Sequence, residues 1–346
     1  MKAAFLVESQ YYEVREVPDP IPPDDGLIIQ VKACGVCGSD IRRWREGPPS
    51  HGEPLIGGHE IAGIVTQIGS HVNNYQVGDR LAIAPDVHCG NCYYCHRGMY
   101  NLCDHLHLIG ISPGYHGGFA EKMLINGEML QNGIVHLLPS EISYIEGALA
   151  EPCSSVLACH AMTETSLQDF VVIMGAGPIG CLHLSVAKSR GARVLISEPN
   201  PIRRKMAERF DPDLIVDPTV QNLNSITNKC TKDVGADIII CANPISATHQ
   251  QAVELVRKRG KVVLFGGLPK DNPMTTLDAN RIHYGEIEVL GSFSYHPTFH
   301  ELALEVLRSK NIMAEKVITH QLSLEEINTA FQTAASGEAL KVILSV

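Results

Sequence analysis

The sequence predicts an α/β protein in which a β-rich part precedes a doubly wound parallel sheet. Three observations predict it. The chain has 346 residues, and at roughly 150 per domain that makes two domains with real cores. Residues 1–150 are rich in glycine and proline and read as short strands and turns. From about residue 170, apolar strands alternate with helical stretches.

In the first part, GLIIQVKACGV (26–36) and GIVTQIGSHV (63–72) alternate apolar and polar residues between glycines. VPDPIPPDD (17–25) and GPPSHGEP (47–54) are loops. A small all-β barrel or sandwich is expected. In the second part, DFVVIMGAGPIGCLHLSVAKSRGARVLISEPN reads as strand, glycine turn, helix and strand. Further strands are expected at 236–242, 260–267 and 286–293, with a helix over 246–259. Two amphipathic helices (298–309 and 323–336) and a last strand, LKVILSV (340–346), end the chain.

Composition excludes several classes. Hydrophobic residues at 45% and charged residues at 19% argue against disorder. Mean hydropathy is +0.02, and no charge-free apolar run reaches the roughly 18 residues of a membrane span. Glu8 comes too early for a secretory signal. A net charge of −10 argues against a broad nucleic-acid or anionic-membrane surface. A cytoplasmic protein acting on small molecules is expected.

Gly175-Ala176-Gly177-Pro178-Ile179-Gly180 is a GxGxxG that follows the strand FVVIM and opens a helix. That context marks a dinucleotide site: glycines let the backbone approach a pyrophosphate, and the helix N-terminus offers free N–H groups. Glu198 ends the next strand, where a carboxylate accepts from ribose hydroxyls and repels a 2′-phosphate, favouring NAD over NADP. Arg203 is a further cofactor candidate; a solvated helix start is the alternative for it and Arg204.

Cys89-x2-Cys92-x2-Cys95-x7-Cys103 has the spacing of one tetrahedral site. Four sulfurs with no open position are a structural zinc pattern; an iron–sulfur cluster is the competing reading. A second, dispersed set comprises Cys37 in CGVCGSD, His59-Glu60 in GGHEIAG and Glu151 in AEPCSS. Thiolate, imidazole and carboxylate are the ligand types of a catalytic zinc with an open position. Such a zinc lowers the pKa of a bound hydroxyl. Beside a nicotinamide site, that means alcohol–carbonyl redox chemistry.

With these motifs in hand, the chain resembles the zinc-dependent medium-chain alcohol/polyol dehydrogenases over essentially its whole length. The family signature G-H-E-x2-G-x5-G-x2-V is met by Gly58, His59, Glu60, Gly63, Gly69 and Val72. The resemblance implies a GroES-like catalytic domain (1–155 and 296–346) with a structural zinc lobe at about 88–104. It also implies a Rossmann domain (156–295), an active site between the two, and two zinc ions per chain. Glu151-Pro152 resembles the sorbitol dehydrogenase branch, which implies catalytic-zinc roles for Cys37, His59, Glu60 and Glu151; which glutamate is the direct ligand stays open. Cys153 is a stand-in ligand or a core cysteine. Ser39 resembles the first member of the family's proton relay. Arg42 stands where many relatives have the relay's outlet histidine, and His51 is a candidate substitute.

Arg43 stands where sorbitol-type enzymes often carry tyrosine and where the galactitol-1-phosphate dehydrogenase branch shows arginine. Arginine suits phosphate, so the substrate is a polyol or a sugar phosphate, with a solvated loop as the alternative for Arg43. Ser294 replaces the arginine usual in sorbitol dehydrogenases, and Tyr115 and His116 are pocket candidates. The reaction implied is oxidation of a secondary hydroxyl to a ketose with hydride transfer to NAD. The alternatives are a threonine-type or other secondary-alcohol dehydrogenase, and a non-catalytic zinc- and nucleotide-binding protein. Relatives imply a homodimer or homotetramer.

Overall fold

A computed structural model describes residues 1–48 and 54–346; the relay candidate His51 lies outside the described residues. The chain falls into two compact units, Met1–Ser154 with Ser294–Val346, and Ser155–Phe293.

The first unit is built on an eight-stranded sheet. Its central strand Leu27–Gly35 runs antiparallel to Glu60–Ile68, to Lys122–Ile125 and to the last strand, Lys341–Ser345. Glu60–Ile68 in turn pairs with Arg80–Val87. The observed strand Glu60–Ile68 begins and ends earlier than the run 63–72 and carries Glu60 at its first position. Tyr12, Trp44, Phe119 and Phe331 meet in the core with ring centroids 4.8–6.0 Å apart. Phe331 is fully buried, so truncating it to alanine is expected to cost about 3–5 kcal/mol.

The second unit holds a six-stranded sheet ordered Leu214–Val216, Arg193–Ser197, Phe170–Met174, Ala236–Cys241, Val256–Leu264, Glu288–Gly291. All five pairings are parallel. The order reverses between Phe170–Met174 and Ala236–Cys241, the switch point beside which such sheets bind ligands. The helix expected over 246–259 ends at Leu255, and Val256–Leu264 is strand. Val256 pairs with Ala236 across a register shift, and Arg259 takes a left-handed φ of 54°. A bulge therefore carries the basic run that helical periodicity had absorbed.

Candidate active site

The glycine turn comes directly off the fully buried strand Phe170–Met174. Gly175 has φ +111° and donates its N–H to Ser197 O at 2.8 Å. A Cβ on Gly180 would meet Gly175 O at 1.9 Å, whereas one on Gly177 would meet open space. Gly180 is thus required by the turn itself. Gly177, the N-cap of the helix Pro178–Ser189, is explained by close approach of something outside the chain. Together with the first-turn residues Pro178 and Ile179, that cradle fits a dinucleotide.

Glu198 is only 4% exposed. Its Oε2 accepts from Ala176 N at 2.8 Å and its Oε1 from Asn200 N at 2.9 Å. The carboxylate therefore braces the glycine turn, a job that sequence did not reveal. Arg203 keeps a buried Nε without a partner, while Arg204 is held by Asp217 and the Glu198 carbonyl.

In the first unit the sulfurs of Cys92 lie 3.5 Å from Cys95 and 3.9 Å from Cys103, and Cys89 lies 4.0 Å from Cys95. Sulfurs on a tetrahedral zinc at about 2.3 Å lie about 3.8 Å apart, so the cluster fits that ion. All eleven cysteines are free thiols. Backbone N–H groups, first that of Cys95, pull Cys92 down to about 6. His88 and Tyr100 stack at 4.1 Å and Tyr100 and His296 at 5.1 Å, tying the lobe to the segment that carries Ser294 and Tyr295.

Cys37, His59 and Glu60 converge, with ligand atoms within 4.8 Å of one another. Cys37 is the N-cap of the helix Gly38–Glu46, and its N–H donates to Asp40 Oδ2 at 3.0 Å. Asp40 Oδ1 stands 3.4 Å from His59 Nδ1, and Ser39 Oγ lies 3.4 Å from His59 Nε2. Glu60 is fully buried opposite Gly35, where a Cβ would meet its Oε2 at 1.8 Å. Lys341 Nζ donates to Glu60 Oε1 at 2.5 Å and to Val36 O at 3.0 Å, and it lies equally close to Glu60 Oε2. Burial would lower Lys341, but the charge and hydrogen bond of Glu60, with the charges of Cys37 and Glu151, together outweigh it and hold the ammonium above its ordinary pKa. A thiol, an imidazole and a carboxylate converging in this way are the donor types that fit a zinc ion.

Glu151, near the start of the helix Ala150–Met162, lies outside that trio. Desolvation and then the Glu60 charge raise its carboxyl well above the usual range, and Tyr295 Oη donates to it at 3.4 Å. Asp86 is 6% exposed; burial pushes it up to about 6 against the hydrogen bond that Ser294 Oγ donates to its Oδ2 at 2.5 Å. Cys153 is fully buried and burial drives its thiol pKa up, the behaviour of a core cysteine.

Two expected substrate contacts are otherwise engaged. Arg43 donates from both terminal nitrogens to the carbonyls of Gly110 and Ile111, at 3.0 and 2.8 Å. Both terminal nitrogens of the guanidinium thus hold the 110–111 turn. His116 Nδ1 accepts from Ile56 N at 3.2 Å, and Tyr115 Oη donates to Glu128 at 2.7 Å. Sequence reasoning missed Asp40, Asp86, Tyr295 and Lys341. The available signal for Asp86 and Lys341 was a lone charge inside an apolar strand, in LAIAPDV and LKVILSV.

A nucleotide-binding doubly wound sheet joined in one chain to a β unit bearing two zinc-type donor sets defines a zinc-type oxidoreductase. The chain belongs to the zinc-type medium-chain alcohol dehydrogenase family: residues 23–135 match the alcohol dehydrogenase GroES-like domain and residues 178–309 the zinc-binding dehydrogenase domain. It is 34% identical to the sorbitol dehydrogenase of Halalkalibacterium halodurans, covering 100% of this chain and 99% of that protein. It is 33% identical to the D-arabitol-phosphate dehydrogenase of Enterococcus avium, over 94% and 91% of the two chains. A Sinorhizobium meliloti protein described as a zinc-binding dehydrogenase, crystallised bound to NADP, superposes with a TM-score of 0.90 at 30% identity, covering 100% and 99%. Among the described residues no helix is long and apolar enough to cross a membrane.

Proposed function

We propose that this protein oxidises a secondary hydroxyl of a polyol or polyol phosphate to a ketose, passing hydride to NAD. The observation that carries the reading is the convergence of the half-buried Cys37 with the buried His59 and Glu60, in a chain of the zinc-binding dehydrogenase family. The sorbitol and D-arabitol-phosphate dehydrogenase relatives support the substrate class.

Cys37 and His59 would hold a catalytic zinc, with Glu60 and Glu151 as the carboxylates available to it. Lewis acidity at that position lowers the pKa of a bound hydroxyl. Asp40 orients the His59 ring from the side away from Ser39, as a second partner commonly does for a metal-bound imidazole. Ser39 Oγ takes the hydroxyl proton and passes it on. Lys341 pairs with Glu60 from the last strand, and Glu151 is the further carboxylate available to the ion. A bound nicotinamide would supply the hydride acceptor, so that the carbinol C–H and O–H bonds break, a C=O bond forms, and the hydroxyl proton leaves through Ser39.

Gly175, Gly177, Pro178, Ile179 and Gly180 would cradle the pyrophosphate, with Glu198 and Arg203 at the adenosine ribose. Glu198 supports NAD because a 2′-phosphate beside a buried carboxylate is repelled. Cys89, Cys92, Cys95 and Cys103 would hold the structural zinc. A reduced thiol cluster fits a reducing cytoplasm, and a homodimer or homotetramer is the proposed assembly.

The test is reduction of NAD and of NADP by zinc-loaded protein with D-sorbitol and D-arabitol, each with and without a terminal phosphate. Formation of ketose with NAD supports the reading. Absence of turnover on every compound with either nucleotide rejects it.

A further inference from the structure

The Asp86–Ser294 pair is left without a task by the reaction just described. Asp86 sits in the strand Arg80–Val87 among residues that are nearly all buried. Its Oδ2 is held by Ser294 Oγ, and no hydrogen bond to its Oδ1 is formed among the described residues. Oδ1 is not fully enclosed, so it faces accessible space. A carboxylate this buried with half of its acceptor capacity free is costly unless a ligand completes it.

Ser294 adds an independent sign. Its backbone is left-handed, with φ +50°, a conformation that costs a non-glycine residue free energy and collects at ligand sites. In that conformation its hydroxyl reaches Asp86. The pair adjoins the candidate centre: Asp86 feels the charge of His59, and Glu151 and Tyr295 both feel the charge of Asp86. The surroundings are acidic, with Asp40, Glu60, Asp86 and Glu151 against the single buried ammonium of Lys341. A divalent cation at Cys37, His59 and Glu60 would leave acid groups in excess. A phosphate monoester, at about −1.5 to −2 near neutral pH, is repelled by such a site, whereas a neutral hydroxyl donates to a carboxylate in a charge-assisted bond.

We propose that Asp86, set in place by Ser294, reads the substrate: its free Oδ1 accepts from hydroxyl groups of an uncharged polyol and selects against the phosphorylated form. This rests on the polyol reading above and narrows it to the free polyol. The engagement of both Arg43 terminal nitrogens by the 110–111 carbonyls agrees with it.

The experiment compares zinc-loaded wild type, Asp86→Asn and Ser294→Ala on D-arabitol and D-arabitol 5-phosphate, by steady-state kinetics with NAD and by calorimetric binding. Wild type should prefer the free polyol. Asp86→Asn should raise KM for it by about ten- to a hundredfold, the range of a lost hydrogen bond to a charged group, with kcat changed less. The discrimination against the phosphate should narrow. Ser294→Ala keeps the carboxylate and should raise KM in the same direction by less, so the proposal remains testable if Asp86→Asn does not fold. A wild-type preference for the phosphate, or an unaltered KM and preference in both variants, overturns the proposal. Tighter, Asp86-dependent binding of the free polyol without turnover would reject the oxidation and keep the inference. Binding of neither compound would overturn the inference.

Discussion

Lys341 Nζ lies 2.5 Å from the Glu60 carboxylate, so the final strand of the chain supplies the counter-charge for the residue that follows His59. The two residues are 3% and 0% exposed. Removing one member of a buried pair leaves an uncompensated charge and costs about 3–5 kcal/mol. Lys341→Met should therefore lower the melting temperature sharply, and adding Glu60→Gln should restore part of the loss. A melting temperature within a degree or two of wild type for Lys341→Met would remove the pair from the account.

The two donor sets should separate under mutation. Cys103→Ser should lose about half of the bound zinc and much of the thermal stability, because four thiolates close a structural site. Cys37→Ser should lose activity with a far smaller effect on melting. Zinc content by atomic absorption together with calorimetric melting checks both, and equal stability losses in the two variants would contradict the division of roles. The stack His88–Tyr100–His296 adds that Cys103→Ser should also raise KM.

Glu198 bridges the glycine turn to the next strand through Ala176 N and Asn200 N. Glu198→Ala should narrow the preference for NAD over NADP and weaken both nucleotides, because the turn loses its brace. Glu198→Gln, which keeps an acceptor oxygen without the charge, should shift preference with less loss of affinity. Fluorescence titration of NADH and NADPH gives the two constants; an unchanged ratio in both variants would reject the ribose role.

Acid should destabilise the nucleotide-binding unit through a histidine pair. His183 Nδ1 lies 3.2 Å from His160 Nε2, and His160 Nδ1 lies 2.8 Å from Thr165 Oγ1. Burial, then the Arg190 charge, lowers His160 to about 3, and burial, then the His160 charge, holds His183 well below its ordinary value. From about pH 6.5 downward the unfolded chain binds a proton that the native protein does not, so stability falls as pH falls through that window. At pH 5 one such histidine costs roughly 2 kcal/mol. Melting curves between pH 7.5 and 5 should show the decline, and the double variant His160→Gln, His183→Leu should show a shallower one. Parallel curves for variant and wild type would rule the pair out.

What sequence conveyed follows from how local each signal is. The Cys89–Cys103 spacing and Gly175–Gly180 turn lie within single short segments, so residue types at fixed offsets carry the geometry. His59 and Glu60 were legible as ligand types, but their partners were not. Lys341 and Ser294 reach their acids across hundreds of residues through sheet pairing and a left-handed backbone. The contacts of Arg43 with the 110–111 carbonyls were not legible, because an arginine's chemistry is the same toward a phosphate and toward two carbonyls. The basic run 257–259 extended a helical pattern because periodicity does not register the strand pairing of Val256 with Ala236.

The most direct test of the central claim is NAD reduction by zinc-loaded wild type and Cys37→Ser on D-sorbitol and D-arabitol, with the ketose product identified. One ketose should form per NADH in the wild type, and activity should fall to background in Cys37→Ser with the Cys89–Cys103 zinc retained. Equal turnover by the two proteins, or none by a wild type that holds both metals, would contradict it.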